Sequence, residues 1–345
     1  MRDARRKELA RDSRDDAMRQ LSDESTHVLV PGRQPFRLNR RRLVSGVAGL
    51  GAASALALVP NLAQAVAISR VTAVINMPDR SAIYMRECPS PSCRFIRTIP
   101  HGVRTRPTEA QGNWFKLRYG TATGWVNSWN TTLQGTPSQE IYRGNTSRKM
   151  MCLCFDAGAD LGHTPRILAL LKAENILASF GLSGRWVDPN RGYTRRIADE
   201  GHHIFNHTYT HGSFTKNRSY GTTAHSPARR VEELQQCENA IINATGRPTR
   251  PDWRPPWGDR DQTVLRDAGA FGFSKTLLWG VDTLGAENAT VREICDRTLA
   301  AAGNGVIVLM HVGFASKDAD ALPCVISGLR AMGYSFGTIP QLLAP

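Results

Sequence analysis

The sequence predicts a small all-β barrel followed by an α/β domain of parallel βα units. Its 345 residues exceed the usual span of one domain. Between Val71 and Leu133 short alternating segments are separated by glycine turns, the pattern of a small barrel. From Lys149 onward apolar runs of strand length alternate with amphipathic helical stretches, the pattern of a barrel or open α/β sheet. The composition, 41% hydrophobic and 21% charged, is that of a chain able to bury a sizeable core.

The first β element is Ala82–Met85, followed by Arg94–Ile99, Trp114–Tyr119 and Thr123–Val126. Trp114, Lys116 and Arg118 alternate with Phe115, Leu117 and Tyr119, as a strand with one buried face requires. Gly102, Gly112, Gly120 and Gly124 fall at the turns. No acid, base or nucleophile cluster stands out in this part. Residues 135–147 read as a polar linker by composition.

In the α/β part, Met150–Phe155, Ile176–Leu182, His203–Phe205, Phe273–Leu278 and Val306–Met310 read as strands. Between and after them, helices are expected at 165–174, 193–200, 229–244, 261–268, 291–302 and 319–332. Chemistry in such domains collects at the carboxyl ends of the strands. Asp156, His207, Asp282 and His311 all fall there. His207 and His211 stand four residues apart, a spacing that in a helical or turn-like segment puts both imidazoles on one side, within reach of one metal. His202 and His203 lack that spacing and read as packing or surface residues. Taken singly, Asp156 reads equally as a turn former, and His311 as a satisfied core histidine.

Charge divides unevenly along the chain. The net value is +14, with 12 Lys/Arg against 7 Asp/Glu in residues 1–65 and 32 against 23 in the rest. That surplus favours an anionic surface such as a cell wall. The part beyond the leader has no basic run interleaved with aromatics, so nucleic-acid binding is excluded as the expectation, and no stable protein partner is implied.

Residues 1–65 read as an address. Arg40-Arg41-Arg42 precedes the charge-free stretch Ser45–Pro60, which closes on Ala63-Gln64-Ala65. A basic region, an apolar core and a small-x-small site describe a signal peptide, and the paired arginines resemble a twin-arginine export signal. An uncleaved membrane anchor is the alternative, although the apolar run is shorter than the roughly 20 residues that span a bilayer. Export, with cell-wall association or secretion, is the expectation. Among the seven cysteines, Cys88 and Cys93 flank a tight polar loop and are expected to pair in an oxidising compartment. Cys152 and Cys154 lie in the first α/β strand and read as packing.

Two resemblances sharpen this reading. Residues 68–134 resemble a bacterial SH3 domain through Met85-Arg86-Glu87-Cys88-Pro89-Ser90, Ile99-Pro100-His101-Gly102, Gly112-Asn113-Trp114-Phe115 and Gly124-Trp125-Val126. The likeness implies a module that docks on peptidoglycan. Residues 148–345 resemble the polysaccharide deacetylases of carbohydrate esterase family 4, the NodB-homology domain. The segments that carry it are Phe155-Asp156-Ala157-Gly158, His207-Thr208-Tyr209-Thr210-His211, Arg254-Pro255-Pro256-Trp257, Asp282-Thr283-Leu284-Gly285 and Leu309-Met310-His311.

The second resemblance implies a distorted (β/α) barrel, one divalent metal (zinc or cobalt) and a cell-wall polysaccharide as substrate. His207 and His211 would be metal ligands and Asp156 the general base. Arg254 would steady Asp156, and His311 would be the general acid. Pro256, Trp257 and Leu309 would line the substrate groove. A metal makes bound water acidic enough to act near neutral pH, so no serine or cysteine nucleophile is needed, and the sequence has no Gly-x-Ser-x-Gly elbow.

Two positions depart from the family pattern. Ala157 stands where a second aspartate completes the metal triad, and Asp160 is the expected substitute. Gly285-Ala286 stands where the family has Asp-Trp, which leaves Asp282 as the expected partner of His311 and removes one groove wall.

Overall fold

The computed structural model describes residues 65–68, 71–215 and 224–345. The segment expected to direct export, residues 1–65, lies outside the described residues except for Ala65. Among the described residues no helix is long and apolar enough to cross a membrane.

The β domain comprises β1 (Val66–Ala67), β2 (Thr72–Ile75), β3 (Ala82–Arg86), β4 (Phe95–Pro100), β5 (Arg104–Thr105), β6 (Glu109–Gln111), β7 (Trp114–Tyr119), β8 (Ala122–Asn127) and β9 (Thr131–Gln134). Two antiparallel sheets form, ordered β1-β6-β7-β8-β3-β4 and β5-β2-β9. The alternation in β7 is realised: Phe115 and Leu117 are buried, whereas Lys116 and Arg118 are not. Gly124 has no room for a side chain, because a Cβ there would lie 2.6 Å from Met85 Cγ. Cys88 and Cys93 are joined by a disulfide.

The α/β domain runs β10 (Gln139–Ile141), β11 (Met150–Ala157), α1 (Thr164–Ala173), β12 (Ser179–Leu182), α2 (Gly184–Val187), α3 (Arg191–Asp199), β13 (His203–Asn206) and α4 (Pro227–Thr245). It continues with β14 (Asp252–Trp253), α5 (Gln262–Ala270), β15 (Lys275–Leu277), β16 (Val281–Asp282), α6 (Val291–Ala300), β17 (Ile307–His311), α7 (Asp318–Ala331), β18 (Ser335–Phe336) and α8 (Ile339–Leu343). The sheet order is β10-β15-β14-β13-β12-β11-β17-β16, with β18 beside β11. Every pairing is parallel. Leu278 N–H donates to Ile141 O (2.7 Å) and Gly280 N–H to Ile307 O (3.0 Å), so the chain after β15 touches both ends of the sheet. The result is a distorted barrel.

Local chemistry sets the helix limits. Ser226 caps α4 by accepting Arg229 N–H at 3.2 Å, Pro227 occupies the first turn, and Gly246 ends the helix at φ 71°. The barrel core gathers Phe155, Phe180, Trp186 and Val308, each wholly buried. Each such side chain contributes about 1.5–3 kcal/mol of burial free energy.

Residues 135–147 do more than link. Gln139–Ile141 becomes β10, in parallel register with Lys275–Leu277. Composition concealed this because the strand is short and half polar. The β domain is also not a detached module. Phe115, Val126 and Leu133 share one apolar cluster with Ala228, Val231, Leu234 and Phe271. Ser128 Oγ accepts Ala228 N–H (3.1 Å), and Glu232 Oε2 accepts Gly112 N–H (3.0 Å).

A second disulfide, Cys295–Cys324, ties α6 to α7 across 29 residues. The sequence left that pairing open because neither spacing nor motif marks it. Replacing both cysteines by alanine is expected to lower stability by about 2–4 kcal/mol. Urea unfolding with and without reductant measures this, and an unchanged midpoint would refute it.

Candidate active site

The strand ends converge as expected. Asp156 on β11 and His311 on β17 are direct register partners. Both line a cavity of about 580 Å³, together with His207, His211, Trp257 and Leu309.

Asp156 is the most constrained group there. It is 6% exposed, and Arg254 Nη1 donates to its Oδ1 at 2.7 Å. Burial alone would raise its pKa. Arg254, His207, His311 and His211 more than offset that, and the net direction is down, so the carboxylate is ionised at neutral pH. Arg254 is itself fully buried and donates to Leu277 O (2.7 Å) and Leu278 O (3.2 Å). Phe205 and Trp279 pack over its guanidinium. Gly181 keeps the space around the carboxylate open, since a Cβ there would meet Asp156 Oδ1 at 2.6 Å.

His207 and His211 face the same space, with ring centroids 4.9 Å apart. They are not on a helix. The loop after β13 turns sharply, with Thr208 at φ 64° and His211 at φ 60°, both in the left-handed region that non-glycine residues seldom adopt. Buried Glu233 on α4 holds that loop: one oxygen accepts Tyr209 N–H (2.9 Å) and Thr210 N–H (2.7 Å), and the other takes the Thr210 hydroxyl (2.8 Å). Asn206 Oδ1 accepts Thr208 N–H at 2.9 Å. Sequence reading missed Glu233, since a glutamate within α4 looks solvated. The available signal was its place among the apolar residues Val231 and Leu234.

Protonation follows from these contacts. Burial pushes His207 below its ordinary pKa, and pushes His211 down to about 3. Both imidazoles are therefore neutral at working pH. The Arg254 carbonyl lies 2.9 Å from His207 Nδ1 and can only accept, so Nδ1 carries the hydrogen and Nε2 presents a lone pair. That lone pair lies 3.4 Å from Asp156 Oδ2. Two neutral imidazoles facing one space are a pair of the kind that ligates a divalent cation, without being a complete ligand set. Among the described residues no three His, Cys, Asp or Glu side chains form a group that could hold a metal ion.

Other expected residues divide. Trp257, at φ 54°, packs edge-on against His211 with centroids 4.8 Å apart. Leu309 lines the cavity, whereas Pro256 is buried in the turn and is not among the lining residues. Asp160 also lines the cavity, but its Oδ1 accepts Phe314 N–H at 3.0 Å, which ties it to the loop after β17. Asp282 caps its own turn by accepting Leu284 N–H at 3.0 Å. The carboxylate beside His311 is instead Asp318, which sequence reading did not single out: its Oδ2 is 3.8 Å from His311 Nδ1. His202 and His203 serve packing, with His202 Nδ1 accepting Ala178 N–H (3.1 Å) and His203 Nε2 3.2 Å from Asp252.

Comparison with known proteins bears on both parts of the chain. The family model described as Polysaccharide deacetylase matches residues 143–275, and that described as Bacterial SH3 domain matches residues 81–132. A Bacillus cereus peptidoglycan-N-acetylglucosamine deacetylase is 30% identical over 72% of this chain and 84% of its own length. The chain belongs to the polysaccharide deacetylase family.

Another relative is the peptidoglycan-N-acetylmuramic acid deacetylase PdaA of Bacillus subtilis, 30% identical over 59% of the chain and 74% of its own. YlxY of Bacillus subtilis is 27% identical over 61% of the chain, which spans only 62% of that relative's length. Among solved structures, the Bc1960 peptidoglycan N-acetylglucosamine deacetylase superposes with TM-score 0.53 at 28% identity, covering 59% of this chain and 92% of its own. A Bacillus anthracis pseudoenzyme of the family, BA3943, shares the fold at 22% identity and TM-score 0.54, over 77% of this chain and 92% of its own. The relatives that carry a name for their activity are peptidoglycan deacetylases, and the family also includes a pseudoenzyme.

Proposed function

We propose that this polysaccharide deacetylase removes N-acetyl groups from peptidoglycan outside the cytoplasm, with a divalent metal held by His207 and His211. The observation that carries the reading is the pairing of Asp156 and His311 as register partners on β11 and β17, with the two histidines facing them. A base and an acid thereby flank one cavity, the requirement for hydrolysing an amide.

When bound, the metal (zinc or cobalt, as the family resemblance implies) would supply an acidic water and a positive charge for the amide oxygen. Asp156, held ionised by Arg254, takes a proton from the attacking water. His311 gives a proton to the nitrogen as the carbon–nitrogen bond breaks. Trp257 and Leu309 shape the place of the acetyl methyl and the sugar ring. The β domain, fused to the barrel by a shared core, presents the exposed Tyr84, Phe95 and Trp129 for wall contact. The signal segment delivers the chain to the wall, by the twin-arginine route on the strength of Arg40-Arg41-Arg42.

His207→Ala is expected to abolish stoichiometric zinc binding and acetate release together. Unchanged metal content and activity would refute the metal reading. Asp160 completes the ligand set if it releases Phe314, and Asp160→Ala then weakens zinc binding, whereas affinity equal to the parent's removes it from the set. Glu233→Ala, which frees the histidine loop, should weaken zinc binding about 10–100-fold, as loss of an outer partner commonly does. Competition against a chelator reads this, and parental affinity would contradict it.

The alternative is a glycan-binding protein without turnover, and Ala157 and Ala286 favour it. Retention of Asp156, Arg254, His207, His211 and His311 argues against it, since binding alone needs no such set.

A further inference from the structure

Asp318 begins α7 with its side chain fully buried. Its Oδ2 accepts the backbone N–H of His311 and the Ser316 hydroxyl, both at 2.8 Å, and lies 3.8 Å from His311 Nδ1. Asp318 Oδ1 and His311 Nδ1 are both buried and have no hydrogen-bond partner among the described residues. A buried carboxylate oxygen and a buried ring nitrogen left so are costly unless the two side chains act on each other, and the ring lies 3.8 Å from the same carboxylate's Oδ2. Asp320, in the same first turn, is by contrast half exposed and pairs with Arg166 at the surface.

Gly285 explains how the carboxylate reaches this place. A Cβ at position 285 would lie 2.3 Å from Asp318 Oδ1 and 2.5 Å from its Cγ. The glycine is not required by backbone conformation, since its φ is outside the left-handed region. It is required for room. Lys317 N–H donates to Gly285 O at 3.2 Å and fastens the two loops together. The space a side chain at 285 would fill is therefore filled from the start of α7.

A simpler role for Asp318 is that of a first-turn acid that stabilises its helix. That role needs neither full burial nor contact with another strand. Both oxygens here are directed away from the α7 amides, toward His311, Ser316 and Gly285.

We propose that Asp318 is the positioning residue for His311, orienting the imidazole and stabilising its protonated form so that the ring carries the proton needed by the departing amine. The proposal rests on the deacetylase reading. In that step the water oxygen bonds to the acetyl carbon and the water proton passes to Asp156. The carbon–nitrogen bond breaks with its electron pair on nitrogen, and nitrogen takes the proton from His311. Asp318 exchanges no proton in this step.

The electrostatics agree. Burial pushes His311 down, but the contact with Asp318, with Asp156 and Asp282 behind it, more than offsets this, and the net direction is up. The charges that reach the ring are Asp156 on β11, Asp282 on β16 and Asp318 on α7, with neutral His207 and His211 from the loop after β13.

Asp318→Asn keeps the shape and removes the charge. In the zinc-loaded full chain, labelled-histidine NMR should show His311 titrating about one pH unit lower or more. The alkaline limb of kcat for acetate release from N-acetylglucosamine oligomers should move down with it, with kcat falling about 10–100-fold at neutral pH and KM little changed. Gly285→Asp combined with Asp318→Ala, which exchanges the source of the carboxylate, should restore the alkaline limb that Asp318→Ala alone loses. An unchanged His311 titration in Asp318→Asn would overturn the proposal, even with reduced stability. A parent that releases no acetate would instead refute the deacetylase reading, while the titration still decides the pairing.

Discussion

Asp156→Asn is expected to slow acetate release by about 10²–10⁴-fold while zinc content stays near that of the parent. The substituted amide would fill the same volume and still accept from Arg254 through its oxygen, so the barrel end should keep its shape. It cannot take a proton from water. His207 keeps its Nδ1 hydrogen bond to the Arg254 carbonyl, which does not depend on the charge at 156. Activity within about threefold of the parent would remove Asp156 from the base role. Loss of zinc together with activity would make it a ligand first.

Arg254→Met should damage both stability and catalysis. The guanidinium is fully buried, and its Nη1 hydrogen bond holds Asp156 Oδ1 at 2.7 Å. Removing one partner of a buried pair commonly costs about 3–5 kcal/mol, because the other charge is left without compensation. Asp156 would respond by rising in pKa, since Arg254 is the largest influence now holding it down against burial. Activity at neutral pH should fall by at least about tenfold and recover in part toward alkaline pH as the carboxylate ionises again. The double variant Asp156→Asn with Arg254→Met should be more stable than Arg254→Met alone, because neither charge is then orphaned. Additive losses in denaturant unfolding would contradict the account of the pair.

Much of the candidate site's geometry was legible because strand ends carry it. Apolar runs fixed β11 and β17, and Asp156 and His311 follow from where those runs stop. Several short elements escaped, and two of them show the physical reason. β10 is three residues with a polar majority, stabilised by register with β15 rather than by its own pattern. β16 is a two-residue pair with β17. The spacing of His207 and His211 brings their rings into one space, in a turn rather than on a helix. Left-handed turns and Glu233 of α4 hold the pair, and the place of that glutamate between Val231 and Leu234 does not by itself reveal partners 23 and 24 residues away.

The fourth motif shows the limit most clearly. Motif order assigned His311 the partner Asp282, whereas packing supplies Asp318, seven residues downstream on the next helix. The signal was the glycine at 285, a position whose side chain would collide with that carboxylate. The β domain was recognisable from its alternation, but its fusion to α4 and α5 through Phe115, Val126 and Leu133 was not, because a strand's buried face does not reveal what covers it.

The central claim is tested most directly by acetate release from purified peptidoglycan, after chelation and then restoration of zinc or cobalt. The account predicts acetate that appears only with metal and disappears in Asp156→Ala. No acetate from peptidoglycan, chitooligosaccharide or acetylated xylan, despite bound metal and retained affinity for glycan, would contradict it and leave a binding protein.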